Sequence, residues 1–328
     1  MTEHPWAMAR CIEAAGAAAD RSRTQLQVCV EMPADPTLRR QGLAGASRPP
    51  FTPGYDVAGR IAALGPGATN WSIGDRVVAY TEYGGYAEAV CVAAEGLARI
   101  PDRLDDTTAV ALVLNYGTAF QMLRHVAQAE PGNAIVVTGA AGGVGTAVLD
   151  VARALGVTAV GLASVAKHDI VRSFGAAPVD DRSPDVVARV RDALGGRGAN
   201  AVFDGIGGGH LWRSRAMADP RGLIVLFGVA GSVERGRKRM LGLAPTVVSL
   251  AGMRLLAGPR VRLYASAAEQ GKRRVRYGAN VAELLGMAAD GQLKPLIHKE
   301  ISLGEAVEAH RELEHGSVFG KIVITPSH

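Results

Sequence analysis

A glycine-rich segment at residues 135–145, IVVTGAAGGVG, carries the clearest chemical signal in the sequence. Gly139 and Gly142 permit a tight turn. Gly143 lets backbone N–H groups approach a pyrophosphate, and Gly145 lets the following helix pack against its strand. A helix that begins near Gly143 would direct the positive end of its dipole at the phosphates. The segment therefore predicts a dinucleotide site at a strand-to-helix turn, the alternative being a glycine turn that binds nothing.

The end of the next predicted strand indicates which nucleotide this loop would bind. Many NAD sites place Asp or Glu there to bind the ribose 2′-OH. This strand instead ends in Ala163 and Ser164, with Lys167 three residues later. A hydroxyl and an ammonium group suit a 2′-phosphate, which favours NADPH over NADH. A second interpretation, compatible with the first, has Ser164 capping the helix that follows.

Potential metal ligands are few and scattered. The three cysteines, Cys11, Cys29 and Cys91, form no CxxC pair and have no histidine at ligand spacing. His125 and His168 fall in predicted helices of the cofactor half. We therefore expect no metal site, and so few cysteines are typical of a reducing, cytoplasmic setting.

Two patterns of secondary structure would position these residues. Residues 53–100 contain short β-prone runs separated by glycines, which predicts an all-β unit. From residue 134 onward strands alternate with helices, as a doubly wound parallel sheet requires, because each parallel strand needs a crossover. We place a dinucleotide-binding domain at 115–262 and a catalytic domain at 1–114. The remaining segment, 263–328, contains two strands and a helix and is expected to pack back onto the first domain.

Composition and charge narrow the class of protein. The chain has 328 residues, 48% of them hydrophobic and 20% charged, which is typical of a compact two-domain protein and not of a disordered one. Residues 241–256 form the longest apolar run, which is too short and too interrupted for a membrane span. Aromatic residues make up 5%, and no nucleic-acid-binding motif occurs, so we expect no nucleic-acid partner.

The net charge of +5 is unevenly distributed. Residues 231–277 contain eleven Lys or Arg against two Glu, which makes this segment +9 and the rest of the chain −4. Such a basic segment could contact a polyanion or a membrane surface. The simpler interpretation, which we favour, is a solvated loop beside a dimer contact.

Several further stretches occur in a family-like order and spacing. They are PPFTPGYDVAGRIAALGPG (49–67), WSIGDRVVAY (71–80), GGYAEAV (84–90), ALVLNYGTAFQML (111–123), GAAGGVG (139–145), AVFDGIGG (201–208) and GSVFGKIVI (316–324). Together they resemble the medium-chain dehydrogenase/reductase superfamily, specifically its zinc-free quinone oxidoreductase branch of ζ-crystallin-like and VAT-1-like proteins. The resemblance implies an α/β fold, with a GroES-like β-rich catalytic domain plus a Rossmann doubly wound parallel-sheet domain. It also implies NADPH in the cleft between them and a homodimer.

The resemblance also assigns residues to roles. Tyr55, Asn115 and Thr118 match positions near the nicotinamide, and we take Tyr55 and Asn115 as catalytic candidates. Tyr55 is the candidate proton donor, although a packed tyrosine at a strand start is an equally good interpretation. The cofactor-binding positions are Thr118, Gly139, Ala141, Gly142, Gly143, Val144, Ser164, Lys167, Phe227, Gly228 and Lys321. Zinc-dependent relatives have GHE where this chain has GYD at 54–56, so hydrogen bonds would have to polarise the substrate carbonyl.

Two departures from the family pattern concern the substrate and the cofactor. Residues 30–45 are several residues short and lack the usual Asn, and Ala44 stands where a Tyr is usual, so one wall of the substrate pocket is altered. Asp181 stands where relatives often have Tyr beside the adenosine, and an acid there weakens binding of a 2′-phosphate. We expect an NADPH-dependent reductase that transfers hydride to a small quinone or α,β-unsaturated carbonyl without a metal. The altered region keeps open a non-redox cyclase, isomerase or binding protein.

Overall fold

The computed structural model describes residues 23–27, 29–31, 52–65, 68–81, 83–228, 239–265 and 274–325. The chain divides into two compact units, which we call the β-rich unit (1–117 and 267–328) and the parallel-sheet unit (118–266). The division lies three or four residues beyond the boundaries expected from the sequence. As a result, Asn115 belongs to the β-rich unit and Thr118 to the parallel-sheet unit.

From residue 134 onward, strands alternate with helices, as the sequence predicts. In chain order, the strands are β1 (Arg23–Gln27), β2 (Cys29–Glu31), β3 (Asp56–Leu64), β4 (Arg76–Tyr80), β5 (Ala89–Ala93), β6 (Ala98–Arg99), β7 (Ala134–Thr138), β8 (Thr158–Ala163), β9 (Ala177–Asp180), β10 (Ala199–Asp204), β11 (Ala218–Leu226), β12 (Arg260–Leu263), β13 (Ile297–Ser302) and β14 (Lys321–Thr325). The α-helices of four or more residues are α1 (Asp106–Ala111), α2 (Gly117–Phe120), α3 (Gly143–Ala154), α4 (His168–Ser173), α5 (Val186–Ala193), α6 (His210–Met217), α7 (Arg239–Arg254), α8 (Arg274–Ala289) and α9 (Ala306–Glu314). Two π-helical turns, Leu112–Tyr116 and Gln121–Ala127, follow α1 and α2.

The described strands of the β-rich unit form one eight-stranded sheet. Its main path is β13-β14-β2-β3-β1-β5, and β4 pairs with β3 and β6. Val57, Ile61, Val77, Ile322 and Ile324 belong to its buried core. Strands β13 and β14 come from the C-terminal segment, and β14 pairs with β2 of the first segment.

The parallel-sheet unit has six parallel strands in the order β12-β11-β10-β7-β8-β9. Its core is formed by apolar strand residues that include Val136, Val160, Val202 and Ile224, as expected for a sheet covered on both faces. The strand order reverses at β7, and ligands of such sheets bind beyond the carboxyl ends of the strands at this reversal. The glycine loop follows β7, so the topology places it at the expected binding edge.

Several elements were not assigned from the sequence, among them α7, α8 and β12. Helix α7 begins at Arg239 and overlaps most of the apolar run 241–256, although Pro245 lies inside the helix. Helix α8 buries Tyr277, Val281 and Leu284 at helical spacing, and β12 forms an edge of the parallel sheet.

Within the described residues, no helix is long and apolar enough to cross a membrane. Much of the basic segment 231–277 lies outside the described residues, so its role stays a prediction.

Candidate functional site

The glycine loop folds into a tight turn between β7 and α3. Gly139 has a φ of +62°, a conformation that favours glycine, and its carbonyl accepts a hydrogen bond from Gly142 N at 3.0 Å. Gly145 is buried, and a Cβ atom there would lie 2.2 Å from the Gly139 oxygen. Only glycine therefore lets α3 begin this close to the loop. Ala141 is buried beneath the turn, whereas Gly139 and Gly142 are exposed.

The first turn of α3 can accommodate an anion. The residue before the helix, Gly142, has no side chain to cap it, and the helical bonding begins with Thr146 N donating to Gly142 O at 2.8 Å. The N–H groups of residues 143–145 thus have no partner within the helix and point out of its positive end. A Cβ added at Gly139 would meet nothing within 4 Å, so the space beside the loop is open. These features fit a dinucleotide pyrophosphate bound by Gly143 and Val144.

Ser164 and Lys167 lie beside this loop, at the carboxyl end of β8. Ala140 N of the loop donates to Leu162 O at 3.0 Å, which ties the two strand ends together. Ser164 precedes a short 3-10 turn, Val165–Lys167, but its hydroxyl makes no capping hydrogen bond. The helix-capping interpretation of Ser164 is therefore wrong. Its hydroxyl and the half-buried Lys167 remain the candidates for a 2′-phosphate.

Asp181 lies at the same strand end. Its backbone N–H donates to Ala163 O at 3.3 Å, which places the residue immediately after β9 and beside Ser164. Its Oδ1 atom is buried and has no hydrogen-bond partner among the described residues. A carboxylate here repels a phosphate and accepts from a hydroxyl, so it acts against the NADPH preference that Ser164 and Lys167 favour.

Phe227 and Gly228 follow β11 and pass close to the carboxyl end of β10. Phe227 N donates to Asp204 O at 3.0 Å, and a Cβ at Gly228 would lie 2.5 Å from Gly205 O. The chain therefore needs glycine at 228 to pass the end of β10 this closely. Both residues are half-buried at the carboxyl edge of the parallel sheet, where the resemblance places a cofactor contact.

Asp204 is a buried carboxylate that organises this edge and that the sequence analysis did not single out. It accepts hydrogen bonds from Ser214 Oγ at 2.6 Å, Ile206 N at 2.8 Å and Gly207 N at 2.9 Å. Burial alone would raise the pKa of Asp204. Its neighbours, among them the His210 ring with Nδ1 3.7 Å away and these three donors, lower the pKa below the ordinary value. The carboxylate is therefore ionised, and it fixes the turn after β10.

In the β-rich unit, Tyr55 and Asn115 are connected through a buried ion pair. Asp56 directly follows Tyr55, and its Oδ2 accepts from Leu114 N, the residue before Asn115, at 3.1 Å. The same oxygen accepts from Lys321 Nζ at 2.9 Å. Asn115 is 2% exposed, whereas Tyr55 is half-buried. The structure thus joins the two catalytic candidates through their chain neighbours.

Lys321 lies in the interior of the β-rich unit. Its side chain is 2% exposed, and its ammonium donates hydrogen bonds to Asp56 and to the carbonyl of Val110, the latter at 2.8 Å. This placement favours a role within the unit, and a direct cofactor contact stays a prediction. Thr118, 5% exposed, follows Gly117 at the start of the parallel-sheet unit, and its cofactor contact is likewise still a prediction.

The Tyr55 ring packs against a row of tyrosine rings. Tyr55 stacks on Tyr80 with ring centroids 6.3 Å apart, and Tyr80 contacts Tyr277 at 5.8 Å. Tyr277 donates a hydrogen bond to Val113 O, and a Cβ at Gly117 would lie 2.4 Å from its hydroxyl. The packing interpretation of Tyr55 therefore has a structural basis, and its partial exposure is compatible with proton donation as well.

Two family models match separate parts of the chain. Residues 25–102 match the alcohol dehydrogenase GroES-like domain, and residues 174–324 match the zinc-binding dehydrogenase model. Both models describe dehydrogenase domains, and together they support the resemblance of the chain to the medium-chain dehydrogenase/reductase superfamily. The α/β fold with a GroES-like and a Rossmann domain, expected from the sequence, is confirmed. Within the described part of the chain, no group of three His, Cys, Asp or Glu residues could hold a metal ion.

Proteins similar to this chain include a quinone oxidoreductase and a protein complexed with NADPH. The human synaptic vesicle membrane protein VAT-1 homolog is 29% identical, over 88% of this chain and 75% of the relative. A quinone oxidoreductase structure from Pseudomonas syringae superimposes with a TM-score of 0.80 at 28% identity, covering 93% of this chain and 91% of the other. A mycobacterial protein complexed with NADPH has a TM-score of 0.76 at 26% identity, with the same coverage. These likenesses support an oxidoreductase.

Proposed function

We propose that this chain is an NADPH-dependent reductase that transfers hydride to a quinone or another α,β-unsaturated carbonyl without a metal. The observation that carries the proposal is the glycine loop, where the first-turn N–H groups of α3 lack a side-chain cap and the space beside Gly139 is open. Ser164 and Lys167 at the neighbouring strand end support a 2′-phosphate. The NADPH complex of the mycobacterial neighbour supports the same cofactor.

The chemistry requires the protein to stabilise negative charge on the substrate. When bound, NADPH supplies a hydride from its nicotinamide ring. Hydride addition to an activated C=C bond moves an electron pair onto the conjugated carbonyl oxygen. Hydrogen-bond donors positioned at that oxygen can replace a Lewis acid. Tyr55 and Asn115 are the candidate donors, and the Tyr55 hydroxyl is the candidate source of the proton that completes the reduction.

The first test measures NADPH oxidation with a panel of quinones and enones. We expect turnover with at least one acceptor and none that depends on added zinc or is lost on chelation. Replacing Lys167 with Ala should weaken NADPH binding by about 1–2 kcal/mol, as expected for loss of one charge-assisted contact, and leave NADH binding nearly unchanged. Arg172→Ala, which removes an exposed cation from the same region, is the matched control. Equal losses for both nucleotides in Lys167→Ala would contradict the assignment.

The alternative, a non-redox cyclase, isomerase or binding protein, rests on the altered region 30–45. Apart from residues 30 and 31, this region lies outside the described residues. The same panel separates the two functions. NADPH that binds tightly but is oxidised with no acceptor would favour the non-redox alternative.

We also propose that the enzyme is a homodimer and that it works in the cytoplasm. Strand β12 pairs on one side with β11 and forms an edge of the described sheet. Nearby side chains are apolar and exposed, with Leu255 87%, Leu256 52% and Leu263 70% accessible. Uncovered strand edges and apolar patches of this kind are usually buried by a partner. Light scattering should give twice the chain mass, and Leu263→Glu should shift the protein to monomers.

A further inference from the structure

We propose that Asp56 and Lys321 form a positioning pair that sets the backbone around Asn115 and contacts neither cofactor nor substrate. The inference rests on the proposed function, because it assigns a role within that reaction. It concerns residues of the β-rich unit alone. The proposal gives Lys321 a role different from the cofactor contact that the family resemblance implies.

The pair engages both backbone groups of a helical hydrogen bond. In a regular α-helix Leu114 N would donate to Val110 O, four residues earlier. Here Leu114 N donates to Asp56 Oδ2 at 3.1 Å, and Val110 O accepts from Lys321 Nζ at 2.8 Å. The two side chains bond each other at 2.9 Å, so together they bridge the two backbone groups.

The helix widens at the point where the pair is inserted. Helix α1 ends at Ala111, and the next five residues, Leu112–Tyr116, form a π-helical turn whose bonding includes Gly117 N to Leu112 O. Such π turns occur frequently at functional sites, because they redirect the residues that they contain. Asn115 lies within this turn and directly follows Leu114. The position of its side chain therefore depends on a backbone that the ion pair holds.

A contribution to folding stability does not by itself explain why the chain buries this ion pair. Asp56 is 0% exposed and the Lys321 side chain 2%, so both charges lose most of their hydration. A buried ion pair is often no more stable than well-packed apolar residues of similar volume. Asp56 Oδ1 also has no hydrogen-bond partner among the described residues, which adds to the cost. Unlike apolar side chains, the pair forms hydrogen bonds with Leu114 N and Val110 O.

The test is a four-protein cycle: wild type, Asp56→Asn, Lys321→Met and the double variant. Amide hydrogen exchange of residues 111–118 is measured without cofactor, followed by NADPH affinity and turnover. We expect faster exchange in this segment and a kcat lower by about tenfold in each single variant, a size typical of coupled neighbours. The double variant should be no worse than the singles, while the NADPH dissociation constant stays within about twofold. Because the double variant removes both charges, it keeps the test valid if a single variant folds poorly.

Two further variants serve as controls for the four-protein cycle. Lys321→Arg keeps a cation and should recover part of both the exchange protection and the kcat. Arg103→Met removes a cation from an exposed ion pair with Asp290 in the same unit and should leave the exchange of residues 111–118 unchanged.

The outcomes separate this proposal from the proposed function. Unchanged exchange in both single variants would overturn the positioning role, whatever the turnover. The proposal would also be overturned if Lys321→Met raised the NADPH dissociation constant about tenfold in both the wild-type and the Asp56→Asn backgrounds. That result would indicate that Lys321 contacts the cofactor. Altered exchange in a protein that reduces no acceptor would support the positioning role and refute only the reductase function.

Discussion

Replacing Gly145 with alanine tests the idea that this position requires glycine because α3 approaches the loop backbone closely. The added methyl group would lie 2.2 Å from Gly139 O and 2.7 Å from Ala140 Cα. Both neighbours are backbone atoms, so no side-chain rotation can relieve the clash. The loop or the start of α3 must move instead.

The cost of that movement can be worked out from similar substitutions. Overpacking a well-packed site costs about 1–3 kcal/mol, occasionally more, and the backbone clash at Gly145 belongs at the upper end. In a unit of about 150 residues, each kcal/mol shifts the melting temperature by about 2–4 °C. We therefore expect Gly145→Ala to lower the melting temperature of the cofactor-free protein by about 6–12 °C.

Gly142→Ala is the matched variant. Its Cβ would meet only Gly139 O, at 3.4 Å, and Gly142 has a negative φ of −81° that alanine adopts readily. We expect a melting temperature close to that of the wild type. The new methyl group would occupy space beside the N–H groups of α3, so NADPH affinity should fall about tenfold, which corresponds to about 1.4 kcal/mol.

Thermal unfolding without cofactor, together with NADPH titration, separates the two variants. The reasoning predicts a stability defect in Gly145→Ala and a binding defect without a stability defect in Gly142→Ala. A melting temperature of Gly145→Ala within about 2 °C of the wild type, with NADPH binding intact, would refute the close-approach argument. A large stability loss in Gly142→Ala would show that the loop cannot accept any side chain.

Two further predictions concern stability. Gly286→Ala should raise the free energy of unfolding by about 0.5–1 kcal/mol, measured by denaturant titration, because Gly286 lies inside α8 and a Cβ there meets nothing within 4 Å. Asp204→Asn should lower it by about 2 kcal/mol at neutral pH, because the amide cannot accept all the bonds that the carboxylate accepts. Since the folded pKa of Asp204 lies below the ordinary 3.8, its contribution is present above that value and lost as the pH falls through the folded pKa. The stability gap between wild type and Asp204→Asn should therefore narrow in acid, and a constant gap would contradict the assignment.

The parts of the fold that the sequence predicted are those determined by local physics. The glycine loop is one example, because the need for glycine at 139 and 145 arises from atoms within six residues of each other. The alternation of buried strands and helices after residue 134 is another. Helix α7 was missed because Pro245 usually ends a helix. The parallel-sheet strand β12, RVRL, was missed because two of its four residues are charged.

The positioning pair shows why the rest of the site could not be derived in the same way. Asp56 and Lys321 are 265 residues apart, and only the pairing of β14 with β2, and of β2 with β3, brings their strands together. Family resemblance locates both residues, since GYD at 54–56 and GKIVI at 320–324 are recognisable motifs. It does not reveal that the lysine lies buried against Val110 O. A motif fixes where a residue stands in the chain, whereas its chemistry depends on which groups the fold leaves within hydrogen-bonding distance. Lys321 therefore has to be tested through Asp56, the group that its ammonium binds.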